Sequence, residues 1–365
     1  MRPTYLEVNL TQLKKNIEAI RAQVAPAKIM PMVKANAYGH GMDGVAPFIE
    51  PYVDYLGVAI VEEGIHLREL GIRKPILVTG GILSEQVPLY AEYDLILAGS
   101  SCELLGSAEE VSSSTGTRIK VHLEIDTGME RVGVRDYEAE SLILKAAACK
   151  HIDVEGIYTH FANSEPVDRT YSFMQLERFQ EVLELYNKHS LPVPPLRHAC
   201  NSGGILNLPE AYFEMVRPGV LMYGIYPGDE VDRIIDVKPA LTWHSRVVYA
   251  KRTRPGRPVS YGSLWQAEAE TGIVTVPCGY ADGYFRRMTN QAQVLINQKR
   301  YPQVGRICMD QFMVHVGDDN VKVGDEVILL GEGIRAEDLA EWMGTNEYEV
   351  MTNISARVPR VYVNE

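Results

Sequence analysis

Long apolar runs are scarce in this chain of 365 residues. None approaches the roughly 20 consecutive apolar residues that span a bilayer, so a helical membrane protein is not expected. The opening Met1-Arg2-Pro3-Thr4-Tyr5 lacks the apolar segment and small-residue cleavage site of a secretory signal, which points to a cytoplasmic chain. Cysteine is sparse: Cys102, Cys149, Cys200, Cys278 and Cys308 are odd in number and scattered. They show neither the spacing of a zinc site nor a disulfide framework, and read as reduced thiols with no metal implied. Positive charge is in deficit, 36 Lys and Arg against 48 Asp and Glu for a net charge of −12. An acidic surface does not attract nucleic acid or an anionic membrane, which leaves a small molecule as the expected partner. Internal repeats and low-complexity segments are also missing.

What is present is an ordinary globular composition, 46% hydrophobic and 23% charged, in a chain too long for one hydrophobic core. Up to about residue 230, short β-branched runs alternate with amphipathic helical stretches, the pattern of a parallel α/β fold. In the first helix Leu13, Ile17, Ile20 and Val24 recur at helical spacing after Asn9 and Thr11, either of which can cap it. Strand-like runs lie at 29–33, 55–58, 76–78, 95–98, 121–125, 154–158, 197–200 and 220–223. Eight such units suggest a closed (β/α)8 TIM-type barrel, with an open doubly wound sheet as the alternative. After Pro239 the texture changes to short alternating strands separated by Gly, Asp and Asn, with one helix at 335–343. The expected division is a barrel domain over 1–235 and a β-rich domain over 236–365, which the first residues can also join.

Barrel active sites lie at the C-terminal ends of the strands, so polar residues directly following the apolar runs are the candidates. They are Lys34, Arg131, His160, Asn201, Ser202 and Arg217. A lysine in that place is ordinarily a solvated rim cation. Desolvated, it becomes a neutral amine able to form an imine with an aldehyde cofactor. Asn201-Ser202-Gly203-Gly204 and Arg217-Pro218-Gly219-Val220 are glycine-bearing turns that either simply connect elements or surround a phosphate with N–H groups and a hydroxyl.

Nine segments in order, VKANAYGHG at Lys34, DTGMERVGV at Arg131, THFA at His160, NSGG at Ser202, RPGVLMYG at Arg217, VSYG at Tyr261, GYADGYFRR at Tyr280, GRICMDQ at Met309 and RVPRVY at the end, resemble the alanine racemase family of fold-type III pyridoxal phosphate enzymes. The resemblance implies that Lys34 carries pyridoxal 5'-phosphate covalently, with Tyr38, Asn201, Ser202, Gly219 and Val220 near its phosphate. It implies two bases on opposite faces of the amino acid, Lys34 serving the D-isomer and Tyr261 of a second subunit the L-isomer. His160 links that tyrosine to Arg217, and Arg217 lies beside the pyridine nitrogen. Arg131 and the backbone N–H of Met309 from the second subunit would hold the substrate carboxylate, and Tyr280, Arg286, Asp310 and Ala356 would line the entrance. The implied assembly is a homodimer with shared sites, supplying D-alanine for peptidoglycan.

Two positions depart from the family pattern. Seven residues before Arg131, where relatives often carry a carbamylated lysine, this chain has Glu124; it is expected to supply the negative charge directly, unless it is simply an outward-facing strand residue. Ala356 stands where several relatives carry a tyrosine, which leaves serine or broad-specificity racemisation as the nearest rival activity. A fold-type III decarboxylase fits the VSYG and GRICMDQ segments less well. A non-catalytic pyridoxal phosphate carrier would not need the residues after Pro239.

Overall fold

The barrel begins one element later than the chain does. In the computed structural model, which describes residues 2–364, the first strand, β1 (Tyr5–Asn9), pairs with strands from the far end of the sequence. The helix Leu10–Val24 follows at once, and the Asn9 carboxamide accepts the Gln12 N–H at 2.8 Å. Asn9 is thus the cap, satisfying a donor that has no partner within the helix. Leu13, Ile17, Ile20 and Val24 are all buried.

By packing, the chain forms two units: one comprises Leu13–Ala37 and Met42–Val237, the other the residues up to Gln12, Tyr38–Gly41 and everything from Lys238 onward. In the first unit, β2 (Lys28–Ile29), β3 (Leu56–Val58), β4 (Ile76–Val78), β5 (Ile96–Gly99), β6 (Lys120–Asp126), β8 (Asp153–Tyr158), β9 (Leu196–His198) and β10 (Met215–Val216) run parallel. A short β7 (Val134–Arg135) pairs with β6 outside this series. The ring closes through backbone bonds: Gly57 donates to Pro31 and Val33 to Gly57, both at 2.9 Å. Glu214 donates to Arg197 and Arg217 to Cys200, joining β10 to β9. Helices connect the strands, so the architecture is a (β/α)8 barrel. Met30, Tyr55, Leu77, Ile96, Ala98, Tyr158, Leu196 and Met215 fill its interior.

One expected strand is corrected. Val220–Tyr223 is a single 3-10 turn, ended by Gly224 at φ 85°, and the eighth strand is Met215–Val216. All four residues of the turn are buried. A short run buried on every side has no periodicity to separate strand from helix.

In the second unit, nine of the described strands form one mainly antiparallel sheet. They are β1, β11 (Leu241–Arg246), β12 (Tyr249–Thr253), β13 (Thr271–Val276), β14 (Gln293–Ile296), β15 (Lys299–Val304), β16 (Phe312–Gly317), β17 (Glu326–Leu330) and β18 (Arg360–Val363). Their order is β12-β13-β16-β15-β14-β17-β11-β1-β18. Alternating burial, as in β14 and β16, is what the sequence pattern anticipates. Trp243, Tyr284 and Phe312 build its core, the last two stacked at 4.6 Å between ring centroids. The helix Ala336–Met343 lies within the predicted 335–343. Among the described residues no helix is long and apolar enough to cross a membrane.

Candidate active site

The first unit gathers Lys34, Arg131, His160, Ser202 and Arg217 at the C-terminal ends of the barrel strands. Lys34 enters a turn of unusual backbone: Ala35, Asn36, Ala37 and Tyr38 all have φ between 50° and 54°. Left-handed conformation costs a non-glycine residue roughly 1–2 kcal/mol. The turn is held by Glu63, whose Oε1 accepts the Ala35 N–H at 2.6 Å, and by Asn36 Oδ1, which accepts the Met42 N–H at 2.7 Å. Strain fixed in this way fits a lysine whose direction matters. Burial first, then the Arg131 and Arg217 charges, push the Lys34 ammonium below its ordinary pKa, while Glu63 opposes them. The amine is therefore easier to obtain neutral than that of a surface lysine.

Arg131 ends a loop organised by a residue the sequence reading passed over. Asp126, at the end of β6, accepts the N–H groups of Gly128, Met129 and Arg131 at 2.8, 2.8 and 3.1 Å. Its signal was its place at the strand end, two to five residues before three backbone donors in a glycine turn. Glu124, two residues earlier on β6, is only 5% exposed, so it is not an outward-facing strand residue. Burial raises its carboxyl to a pKa of about 7 against the pull of Tyr158, Arg217 and Arg131. Burial thus works against the negative charge expected of it, and the two arginines work for it.

Ser202 opens the helix Ser202–Asn207, capped by Asn201 Oδ1, which accepts the Gly204 N–H at 2.9 Å and the Ser164 hydroxyl at 2.8 Å. The Asn201 side chain is thereby engaged within the protein. The Ser202 oxygen accepts the Gly219 N–H at 2.9 Å and the Leu221 N–H at 3.3 Å, which turns its own proton toward a further acceptor. Gly219 and Val220 border this hydroxyl.

Arg217 directly follows β10 and is 3% exposed. Its Nη2 donates to the carbonyls of Thr159 (2.8 Å) and Ala199 (3.0 Å), with His160 Nδ1 sharing one of these two protons at 3.3 Å, and Nη1 donates to His198 Nδ1 at 2.8 Å. The Tyr158 ring lies 5.2 Å from the guanidinium carbon. Burial, then the Arg217, Arg131 and Lys34 charges, hold His160 well below its ordinary pKa. It is neutral, and because Nδ1 accepts from Arg217 its single proton sits on Nε2. His122, Glu155 and His198 were not legible as part of this cluster, because each lies on a different turn of sequence within an ordinary strand.

In the second unit Tyr261 is 70% exposed, on a turn where Ser260, Gly262 and Ser263 have φ of 65°, 74° and 51°. The Ser260 hydroxyl donates to the Arg306 carbonyl at 2.6 Å. Tyr261, Tyr280, Arg286, Met309 and Asp310 line one cleft of about 760 Å³, together with Arg306 and Cys308. Asp310 accepts from Arg357 at 2.8 Å. Tyr38 packs in this unit too, its ring 6.1 Å from that of Tyr348, and Ala356 is exposed on a turn before β18.

Residues 8–227 match the model of the alanine racemase N-terminal domain, and residues 240–362 that of its C-terminal domain. The chain belongs to the alanine racemase family. It is 43% identical to the alanine racemase of Carboxydothermus hydrogenoformans, over all of both chains. Its fold is similar to that of the alanine racemase of Clostridium difficile 630, with a TM-score of 0.95 and 37% identity over 100% of this chain and 97% of that one. Alanine racemase from Bartonella henselae, solved with covalently bound pyridoxal phosphate, is similar at a TM-score of 0.91 and 25% identity over all of both chains. As in alanine racemases of this architecture, the (β/α)8 barrel is followed by a domain of mainly antiparallel sheet.

Proposed function

We propose that this chain interconverts L- and D-alanine by a two-base mechanism, with pyridoxal 5'-phosphate held at Lys34. The observation that carries the reading is the half-buried Lys34 amine, weakened as a base by partial burial and by two arginines, on a turn of fixed direction. The donor set fits the cofactor. A neutral amine suits an aldehyde, and the Ser202 hydroxyl with the Gly219 and Val220 backbone suits a phosphate. Arg217 suits a ring nitrogen as a donor that does not give up its proton. Tyr38 is the further candidate for the phosphate.

When bound, pyridoxal phosphate supplies an electron-withdrawing system that makes the α-proton of an attached amino acid removable. Lys34 takes that proton from D-alanine, and returns one to the same face in the reverse direction. Tyr261 of a second copy of the chain does the same for L-alanine from the opposite face, so that two positioned bases give inversion where one would return the proton to the face it left. A tyrosine of pKa about 10 needs help to act as a base near neutrality. His160 offers it, because its Nε2–H can donate to a phenolate oxygen. Arg131 and the Met309 N–H of the second copy hold the substrate carboxylate, and Tyr280, Arg286, Asp310 and Ala356 form the approach.

The proposed setting is a cytoplasmic homodimer supplying D-alanine for peptidoglycan. Turnover of L-alanine in deuterated water tests the reading: deuterium at Cα of both isomers is expected, and a chain that exchanges no α-proton contradicts it. The same chiral assay run on L-serine measures how far the small side chain of Ala356 widens the substrate range.

A further inference from the structure

Arg217 is a buried cation, and among the described residues no carboxylate touches it directly: its contacts are two carbonyls and two imidazoles. Through His198 it is nevertheless connected to one. His198 Nε2 lies 2.8 Å from His122 Nδ1, and His122 Nε2 lies 3.2 Å from Glu155 Oε1, which also accepts the Tyr55 hydroxyl at 3.4 Å. The proton positions follow from the ends of the chain. Arginine only donates and a carboxylate only accepts. His198 Nδ1 must therefore accept, its proton must lie on Nε2, His122 Nδ1 must accept in turn, and His122 Nε2–H must point to Glu155. Any other tautomer sets two N–H groups against each other or leaves a buried nitrogen without a proton to receive.

The fold is shaped around this line. Between β6 and β8 the register runs Val121 to Val154 and then His122 to Gly156, so Glu155 is an extra residue, and such a bulge re-aims a side chain. At Gly156 a Cβ would lie 2.5 Å from the His122 ring; only glycine leaves the imidazole its place. The Tyr158 ring covers His198, stacked at 4.8 Å with 8° between planes. Burial first, then the Arg217 charge, keeps both histidines below their ordinary pKa, with Glu155 opposing the shift at His122. Lys120 and Tyr55 face the Glu155 end.

We propose that Glu155, His122 and His198 form a one-way hydrogen-bond relay through the barrel interior that fixes the orientation of Arg217. They are positioning residues, since none touches the reacting atoms. Aligned donors polarise one another in a low-dielectric interior, so the carboxylate acts on Arg217 from two imidazoles away. The relay rests on the reading of Arg217 as the donor beside the cofactor ring.

The test is nitrogen NMR of the full chain labelled with [15N]histidine, cofactor-free and loaded with pyridoxal phosphate, with signals assigned by His122→Gln and His198→Gln. Both histidines are expected to carry the proton on Nε2 from pH 5 to 8. Glu155→Gln, whose amide oxygen still accepts, is expected to keep both tautomers. Glu155→Ala is expected to give a tautomer mixture at His122 and to lower kcat about tenfold, as a lost polar network partner loosens Arg217, with KM nearly unchanged. A proton on Nδ1 of either histidine in the wild-type chain overturns the relay, and this result stands even where Glu155→Ala does not fold. Unchanged tautomers and kcat in a folded Glu155→Ala chain overturn it too. A wild-type chain with the expected tautomers but no racemisation overturns the functional reading and leaves the relay standing.

Discussion

The chemistry of the first unit depends on how burial sets the state of each ionisable side chain. Lys34 is pushed toward the neutral amine, and His160 is neutral with its proton on the nitrogen that can serve a phenolate. Glu124 gives a sign that can be checked. Its carboxyl is raised to about 7 in the folded chain from an ordinary value of 4.5, so the folded state binds more protons between those values than the unfolded state. That contribution is full below pH 4.5 and is lost as pH rises through 7, about 3 kcal/mol in all. Glu124→Gln removes this slope. In urea unfolding of the cofactor-free chain, its stability relative to wild type is expected to improve between pH 5 and pH 8. A wild-type chain and a variant that change in parallel over that range would show that the carboxyl is not displaced. Tyr261→Phe removes one base and keeps the other. Deuterium exchange of D-alanine at Cα is expected to persist while formation of the L-isomer falls by about 10²–10⁴; equal losses in both would contradict a role confined to one face. Lys34 and His160 were legible in the sequence because they closely follow apolar runs, and Arg131 and Arg217 because they sit in glycine-bearing loops beside such runs. His122, His198 and Glu155 were not, because their relation exists only where three neighbouring strands meet.

At the level of elements, turns and caps aim the side chains more than the strands do. The left-handed turn after Lys34, the Asp126-centred loop before Arg131 and the Asn201 cap before Ser202 each spend a side chain on holding backbone N–H groups. Asn201→Ala is expected to lower stability by about 1 kcal/mol, the usual cost of a lost cap, as read by urea unfolding. Its effect on pyridoxal phosphate affinity, followed by absorbance titration, is expected to stay below tenfold; a larger loss would mean that Asn201 meets the cofactor itself. The alternating strands of the second unit were legible from period-two burial, and the first helix from its apolar stripe. The 3-10 turn at Val220–Tyr223 was not, since a run buried on all sides looks the same as a strand. The left-handed turn was hidden as well. Ala35, Asn36 and Ala37 carry no glycine signal for positive φ; the contacts of Glu63 and Met42 and the Ala37 N–H bond to the Val33 carbonyl sustain it.

For the whole molecule, the family and the two-part architecture follow from a resemblance that runs the length of the chain. The proposed homodimer places Lys34 and Tyr261 of one site on different copies. Lys34→Ala and Tyr261→Phe chains, each inactive in the direction tested, are therefore expected to regain about a quarter of wild-type turnover when unfolded together and refolded, because half of the dimers are mixed and each mixed dimer rebuilds one complete site of two. No recovery, with mixed dimers confirmed by mass, would place both bases on one chain. The central assignment is the covalent link at Lys34, and borohydride reduction of the chain reconstituted with pyridoxal phosphate, followed by peptide mass analysis, tests it most directly. A pyridoxyl adduct on the peptide containing Lys34, absent in Lys34→Ala, is the expected result. A chain that stays colourless and yields no adduct on that peptide contradicts the assignment.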